Sequence, residues 1–201
     1  MNHFVFRGGT LQKLDFSPKL LVASPQLTCP YFAGSVILLL EHTPEGALGF
    51  VLNRPSHLFL DQIIKDDLTF IPKNISVWRA GPVASETAFV LHNQNNIEYD
   101  KELCSGIFLS SSISSLESIL KKENKTFKDF TLYPYRVCVG YSSWGDGQLD
   151  QELKDGFWVL ADIHLNLVFN TSFRFLWKSC LSKLNIEIQG LEQLQNPSFF
   201  H

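Results

Sequence analysis

The sequence has no excess of positive charge: 17 Lys and Arg stand against 20 Asp and Glu, leaving a net charge of −3 and a pI near 6.0. Such a chain has no general attraction for polyphosphate and no polybasic segment for an anionic membrane surface, so nucleic-acid binding and surface adsorption are disfavoured. A long apolar run is also missing. The longest, residues 36–40, falls far short of the roughly 20 residues that cross a bilayer. The opening Met1-Asn2-His3-Phe4 lacks the basic-then-apolar layout of a secretory signal, which leads to the expectation of a soluble, cytoplasmic protein. Four cysteines (Cys29, Cys104, Cys138, Cys180) lie far apart with no C-x-x-C pair, which removes the usual zinc and dithiol motifs and predicts buried free thiols in a reducing compartment. There is no G-x-S-x-G elbow, no Walker loop, no internal repeat and no low-complexity linker, and no cofactor is expected.

What is present describes an ordinary globular protein. Hydrophobic residues make up 45% and charged residues 18%, with 17 Phe to fill the interior, and 201 residues suit one substantial domain. Residues 1–18 read as a docking arm, 19–188 as the domain and 189–201 as a polar tail. The chain is organised around residues 35–55. Here the apolar run Val36-Ile37-Leu38-Leu39-Leu40, the pair Glu41-His42, a turn at Pro44-Glu45-Gly46, a second run at 47–52 and Asn53-Arg54-Pro55 predict a buried β-hairpin.

On either side the pattern continues to mix strands with short helices. Strands are predicted at 19–23, 75–78, 88–92, 107–109, 135–141, 157–160 and 165–169. Helices are predicted at 58–66, with Asp61 in the first turn, at 113–122 after the capping cluster Ser110-Ser111-Ser112, at 148–154 ended by Gly156, and at 173–184. Pro30 could open a single helical turn.

Four blocks occur in register: Ala23-Ser24-Pro25-Gln26-Leu27 with Pro30-Tyr31-Phe32; Ser35-Val36 through Glu41-His42 and Gly46-Ala47-Leu48-Gly49 to Asn53-Arg54-Pro55; Gly81-Pro82-Val83 with Phe89-Val90-Leu91-His92; and Gly140-Tyr141-Ser142-Ser143-Trp144-Gly145-Asp146-Gly147-Gln148-Leu149 with Glu152. Their order and wording resemble the AlgH/YqgE family of bacterial proteins over residues 20–184. The resemblance implies an α+β fold with a mixed, largely antiparallel, bifurcated or partly barrel-like sheet flanked by helices, and a cytosolic location. It brings no settled activity. The customary label, transcriptional regulator, carries no mechanism, and no helix-turn-helix or basic face accompanies it here. The chain also departs from the pattern at Cys29, where relatives usually carry an acid, at Ala80, at Ala88, and at Ser142-Ser143.

The candidate binding residues are His42, Asn53, Arg54, Trp144, Asp146 and Gln148. Arg54 could pair with a carboxylate or phosphate. The 145–148 turn and the Asn53-Arg54 end of the hairpin are where a shared pocket is expected, with Asp146 also serving as a helix cap and Trp144 as a half-buried aromatic covering the sheet. Glu41 and His42, as strand neighbours, point to opposite faces and cannot assist each other. The favoured reading is a non-catalytic module binding a protein partner or small ligand. The alternatives are a hydrolase with His42 or His92 as base and a transcriptional regulator acting directly or indirectly. No catalytic or metal residue is assigned, because no nucleophile or ligand spacing accompanies these histidines.

Overall fold

The structure, a computed structural model, describes residues 19–63, 75–123 and 135–187. The expected arm, the expected tail and the end of the 58–66 helix lie outside the described residues. The strands are β1 (Leu20–Ala23), β2 (Val36–Thr43), β3 (Gly46–Val51), β4 (Pro55–Phe59), β5 (Ser76–Arg79), β6 (Val83–His92), β7 (Lys101–Cys104), β8 (Ile107–Ser110), β9 (Tyr135–Trp144) and β10 (Trp158–Ala161). The helices are α1 (Leu60–Ile63), α2 (Ile113–Glu123), α3 (Gln148–Lys154) and α4 (Phe173–Lys183).

One sheet of ten strands runs in the order β10-β1-β2-β3-β9-β6-β8-β7, with β4 and β5 branching from β9. The β5–β9 pair is parallel and the other described pairs are antiparallel. The result is the expected α+β architecture, a curled half-barrel with a few helices.

The apolar runs of β1 and β2 exist because both faces of this part of the sheet are covered, which replaces alternation by continuous hydrophobicity. Leu20, Val22, Val36 and Leu38 face a core closed by Leu176, Cys180 and Leu181 of α4. Leu21, Ala23, Ile37 and Leu39 face a second core with Trp144, Leu149 and Trp158. A third core packs Leu116, Ile119 and Leu120 of α2 on Val77, Val90 and Val137.

The sheet divides along β9. Val137–Val139 pair with β5 on one edge, Tyr135–Val139 pair with β6 on the other, and Ser142–Trp144 pair with β3. At the division Gly140 has φ +68, and Gly81 crosses so closely that a Cβ there would lie 1.9 Å from the Tyr141 carbonyl carbon. Neither position accommodates a side chain. Between the splayed β3 and β9 the chain at 79–81 fills the gap: Val51 N–H donates to Ala80 O, Ala80 N–H to Val139 O and Arg79 N–H to Arg54 O, each at 2.9 Å.

Several local expectations are corrected. Leu58 belongs to β4 rather than to a helix, because 55–59 finds pairing partners on β5; Asp61 does stand in the first turn of α1. Residues 165–169 are not a strand: Asn166–Asn170 form a π-helical turn that buries Leu167, Val168 and Phe169. That turn also presents the Val168 carbonyl to Arg136 Nε at 2.8 Å, so its irregular backbone serves a buried guanidinium. β7, a short edge strand carrying Lys101 and Glu102, has no counterpart in the sequence reading. Of the four free thiols only Cys138 and Cys180 are buried; Cys29 is exposed and Cys104 intermediate. Among the described residues no helix is long and apolar enough to cross a membrane.

Candidate functional site

The candidate residues fall into two groups at opposite ends of β3. At the hairpin tip Ala47 lies opposite Trp144 in the sheet register. β3 runs on from Ala47 to Val51, about 13 Å along an extended strand, and Arg54 lies beyond its far end. The two groups therefore do not share a pocket.

The tip group is closed on itself. Glu152 Oε2 accepts both indole N–H groups, from Trp144 at 2.9 Å and Trp158 at 2.7 Å, while Glu152 Oε1 accepts Gln148 Nε2 at 2.8 Å. Gln148 Oε1 accepts Gly145 N–H at 3.0 Å, which fixes the turn into α3. The two indoles meet edge to face with centroids 6.0 Å apart, and Trp144 is 6% exposed, more buried than expected for an aromatic on the sheet surface. His42 Nε2 pairs with Asp150 Oδ1 at 3.0 Å, tying the hairpin to α3. Asp146 is exposed and is not the cap: Gly147, at φ 63, occupies that position with no side-chain hydrogen bond. A left-handed glycine makes the turn there, and the Gly145 amide is already satisfied by Gln148. In the serine cluster only Ser112 caps α2, accepting Ser115 N–H at 3.2 Å. Ser111 bonds Asp100, and Ser110 is drawn to His92.

His92 is fully buried beside Phe108. Its Nδ1 accepts Gln94 N–H at 3.3 Å, which assigns the proton to Nε2 for donation to Ser110 Oγ at 3.0 Å; Ser110 in turn donates to Glu98 O. Burial lowers its pKa, against a smaller opposing effect of the bond to Gln94.

At the other end of β3, Asn53 and Arg54 clamp the 29–34 turn. Asn53 Oδ1 accepts Val36 N–H at 2.9 Å and its Nδ2 donates to Gly34 O at 2.8 Å. Arg54 Nη2 donates to Ala33 O at 2.6 Å. Two buried polar atoms here have no partner among the described residues, Arg54 Nε and the Tyr31 hydroxyl. The 79–81 segment brings Arg79 alongside through its backbone bond to Arg54 O, and the Arg79 side chain is exposed. Burial raises the Tyr31 pKa, and the Arg79 and Arg54 charges, in that order, oppose the rise. Burial also lowers the Arg54 pKa, opposed by Tyr31. Among the described residues no carboxylate pairs with either arginine.

A family model described as AlgH-like matches residues 20–189. The chain belongs to the AlgH-like family. A UPF0301 protein of Bacteroides thetaiotaomicron is 30% identical over 90% of this chain and 89% of its own length, and one of Myxococcus xanthus is 31% identical over 86% and 93%. The solution structure of the AlgH protein from Pseudomonas aeruginosa is similar with a TM-score of 0.67 and 26% identity, covering 90% of this chain and 94% of that one. A crystal structure from Corynebacterium diphtheriae shares the fold with a TM-score of 0.62. The family is one of uncertain function, so the site itself must carry any functional argument.

Tyr31 and Arg79 were not singled out from the sequence. Tyr31 stands in the family block Pro30-Tyr31-Phe32 but nothing there links it to Arg54, and Arg79 carries no mark at all: each lies more than twenty residues from Arg54, and they meet it through the Asn53 clamp and the 79–81 crossing. Glu152 carried a signal, since it closes the family block that begins at Gly140, but its role as common acceptor for two indoles required Trp158 from another strand.

Proposed function

We propose that this AlgH-like chain is a non-catalytic regulatory module that binds a protein partner or small ligand at the Asn53–Arg54 end of its central hairpin. The observation that carries the reading is the pair of unpartnered buried polar atoms, Arg54 Nε and Tyr31 Oη, while the other buried side-chain nitrogen and oxygen atoms of the described residues are satisfied. Leaving a buried donor unmet costs about 1–3 kcal/mol, and a ligand that meets it recovers that cost. His42, Trp144 and Gln148 spend polar atoms on α3 and serve its placement, while Asp146 offers an exposed carboxylate beside them.

The net charge of −3 favours regulation through a partner or ligand over direct contact with DNA. A hydrolase using His92 has little support, because both of its ring nitrogens are engaged by Ser110 and Gln94. His42 as base would have Asp150 as its orienting carboxylate, and a broad ester and phosphatase screen with His42→Ala as control tests that alternative.

The test of the proposed reading is affinity capture and ligand screening with the full chain and with Arg54→Ala, His42→Ala and Trp144→Ala, each first verified as folded by circular dichroism. Arg54→Ala is expected to lose the bound species and His42→Ala to keep it. If Arg54→Ala retains everything the parent chain captures, the reading is wrong.

A further inference from the structure

We infer that Arg54, Arg79 and Tyr31 form an oxyanion site, and that the group it takes is a phosphoryl group, either free phosphate or a phosphomonoester. The inference rests on the binding-module reading and gives its ligand a chemistry.

The three side chains come from three segments that the fold holds together for separate reasons. Tyr31 lies in the 29–34 turn, whose carbonyls at Ala33 and Gly34 are fixed by Arg54 and Asn53. Arg54 follows β3, and Arg79 ends β5, its backbone N–H bonded to Arg54 O at 2.9 Å. Arg54 is therefore anchored by one Nη2 donor, which leaves its planar fork oriented before any ligand arrives.

The donors left over define the ligand. Arg54 Nε–H and the Tyr31 hydroxyl are buried and unmet, and the Arg79 guanidinium makes no hydrogen bond or ion pair among the described residues. A species that satisfies them must be a small acceptor. Water would meet the donors but leave two guanidinium charges without an anion. A carboxylate neutralises one of the two. A phosphoryl dianion neutralises both and offers three terminal oxygens to two guanidinium groups and a phenol, the planar-to-tetrahedral match for which arginine is suited. The Arg79 and Arg54 charges each act on the Tyr31 phenol, as the shared 29–34 clamp and the Arg79–Arg54 backbone bond would have it.

The experiment titrates the full chain with inorganic phosphate, glycerol phosphate and acetate at pH 7.5, with ionic strength held constant in sodium chloride. Binding is followed through the arginine Nε–H resonances and thermal melting. Saturable shifts of the Arg54 and Arg79 Nε–H signals are expected with both phosphate probes, with acetate at least tenfold weaker. Preference for glycerol phosphate over inorganic phosphate identifies an esterified source, and the reverse a free ion. Arg79→Ala, an exposed substitution that leaves the backbone bond in place, is expected to weaken binding at least tenfold; Tyr31→Phe is expected to weaken it severalfold, and His42→Ala not at all. Absence of saturation, an equal response to acetate, or full affinity in Arg79→Ala overturns the inference. If the phosphate probes fail while Arg54→Ala still abolishes capture of a partner or another ligand, the phosphoryl chemistry falls and the binding module stands. If Arg54→Ala abolishes nothing, both fall.

Discussion

Replacing Glu152 by alanine removes the common acceptor of two indole N–H groups and of Gln148. Trp144 and Trp158 are 6% and 3% exposed, so neither indole finds bulk water in the folded protein. Each donor left unmet costs about 1–3 kcal/mol, giving a range of about 2–6 kcal/mol for the pair. Glu152 is itself only partly buried, and deleting its side chain opens a path for water to the indoles, which favours the lower half of that range. The expected loss is about 2–4 kcal/mol, or roughly 5–15 °C in melting temperature for a chain of this size. Glu152→Gln keeps one oxygen for the indoles and loses the charge assistance and the favourable meeting with Gln148, for about 1 kcal/mol. Urea denaturation read by tryptophan fluorescence measures both values. A double-mutant cycle between Glu152→Ala and Trp158→Phe is expected to show a coupling of at least about 0.5 kcal/mol, since the two changes remove the same bond. A Glu152→Ala loss under about 0.5 kcal/mol, or strict additivity in the cycle, would falsify the account of Glu152 as the residue that fixes α3 to the sheet.

Two further outcomes follow from the crossing and from the buried histidine. Gly81→Ala places a Cβ 1.9 Å from the Tyr141 carbonyl carbon, and Gly140→Ala combines φ +68 with a 2.6 Å approach to Gly81 O, so both are expected to prevent native folding, while Gly147→Ala, with open space around its Cβ, costs only about 1–2 kcal/mol of left-handed strain; soluble yield and circular dichroism check the contrast. For His92, burial depresses the folded-state pKa, so below the unfolded value of about 6.5 the unfolded chain takes up the proton first and stability falls as pH falls toward the folded value; urea midpoints between pH 7.5 and 5 are expected to decline less steeply in His92→Gln than in the parent chain, and equal slopes contradict the assignment.

The parts of the fold that were legible are those whose signals are local or repeated. The β2–β3 hairpin could be read because both of its runs are apolar along their whole length, a consequence of cover on two faces. Helix α4 could be read because Leu176, Cys180 and Leu181 recur at helical spacing. The π-helical turn was not legible: Leu167, Val168 and Phe169 form a short apolar run, which periodicity cannot distinguish from a buried strand, and the demand of Arg136 for the Val168 carbonyl comes from a residue 32 positions away. Asp146 was misassigned for a related reason. An acidic residue before a helix is a sound cap signal, but here Gly147 turns through the left-handed region and Gln148 reaches back to Gly145, removing the need for it.

The candidate site was half legible, and the missing half is instructive. Asn53-Arg54 stood out because two polar residues interrupt an apolar strand before a proline. Tyr31 and Arg79 did not, because an ordinary tyrosine in a turn and an arginine ending a strand look like solvated surface until the chain is folded. What brings Arg79 to Arg54 is the passage of residues 79–81 between β3 and β9, and that passage exists because Gly81 and Gly140 let two backbones meet where side chains could not. The division of the sheet and the pairing of the two arginines are thus one device. Two guanidinium groups brought together without a carboxylate between them would repel each other, a cost that a bound anion would remove. If that cost is present, Arg79→Ala should stabilise the ligand-free chain slightly while weakening phosphate binding, and a variant that loses both stability and binding would show instead that Arg79 serves only the packing of the crossing.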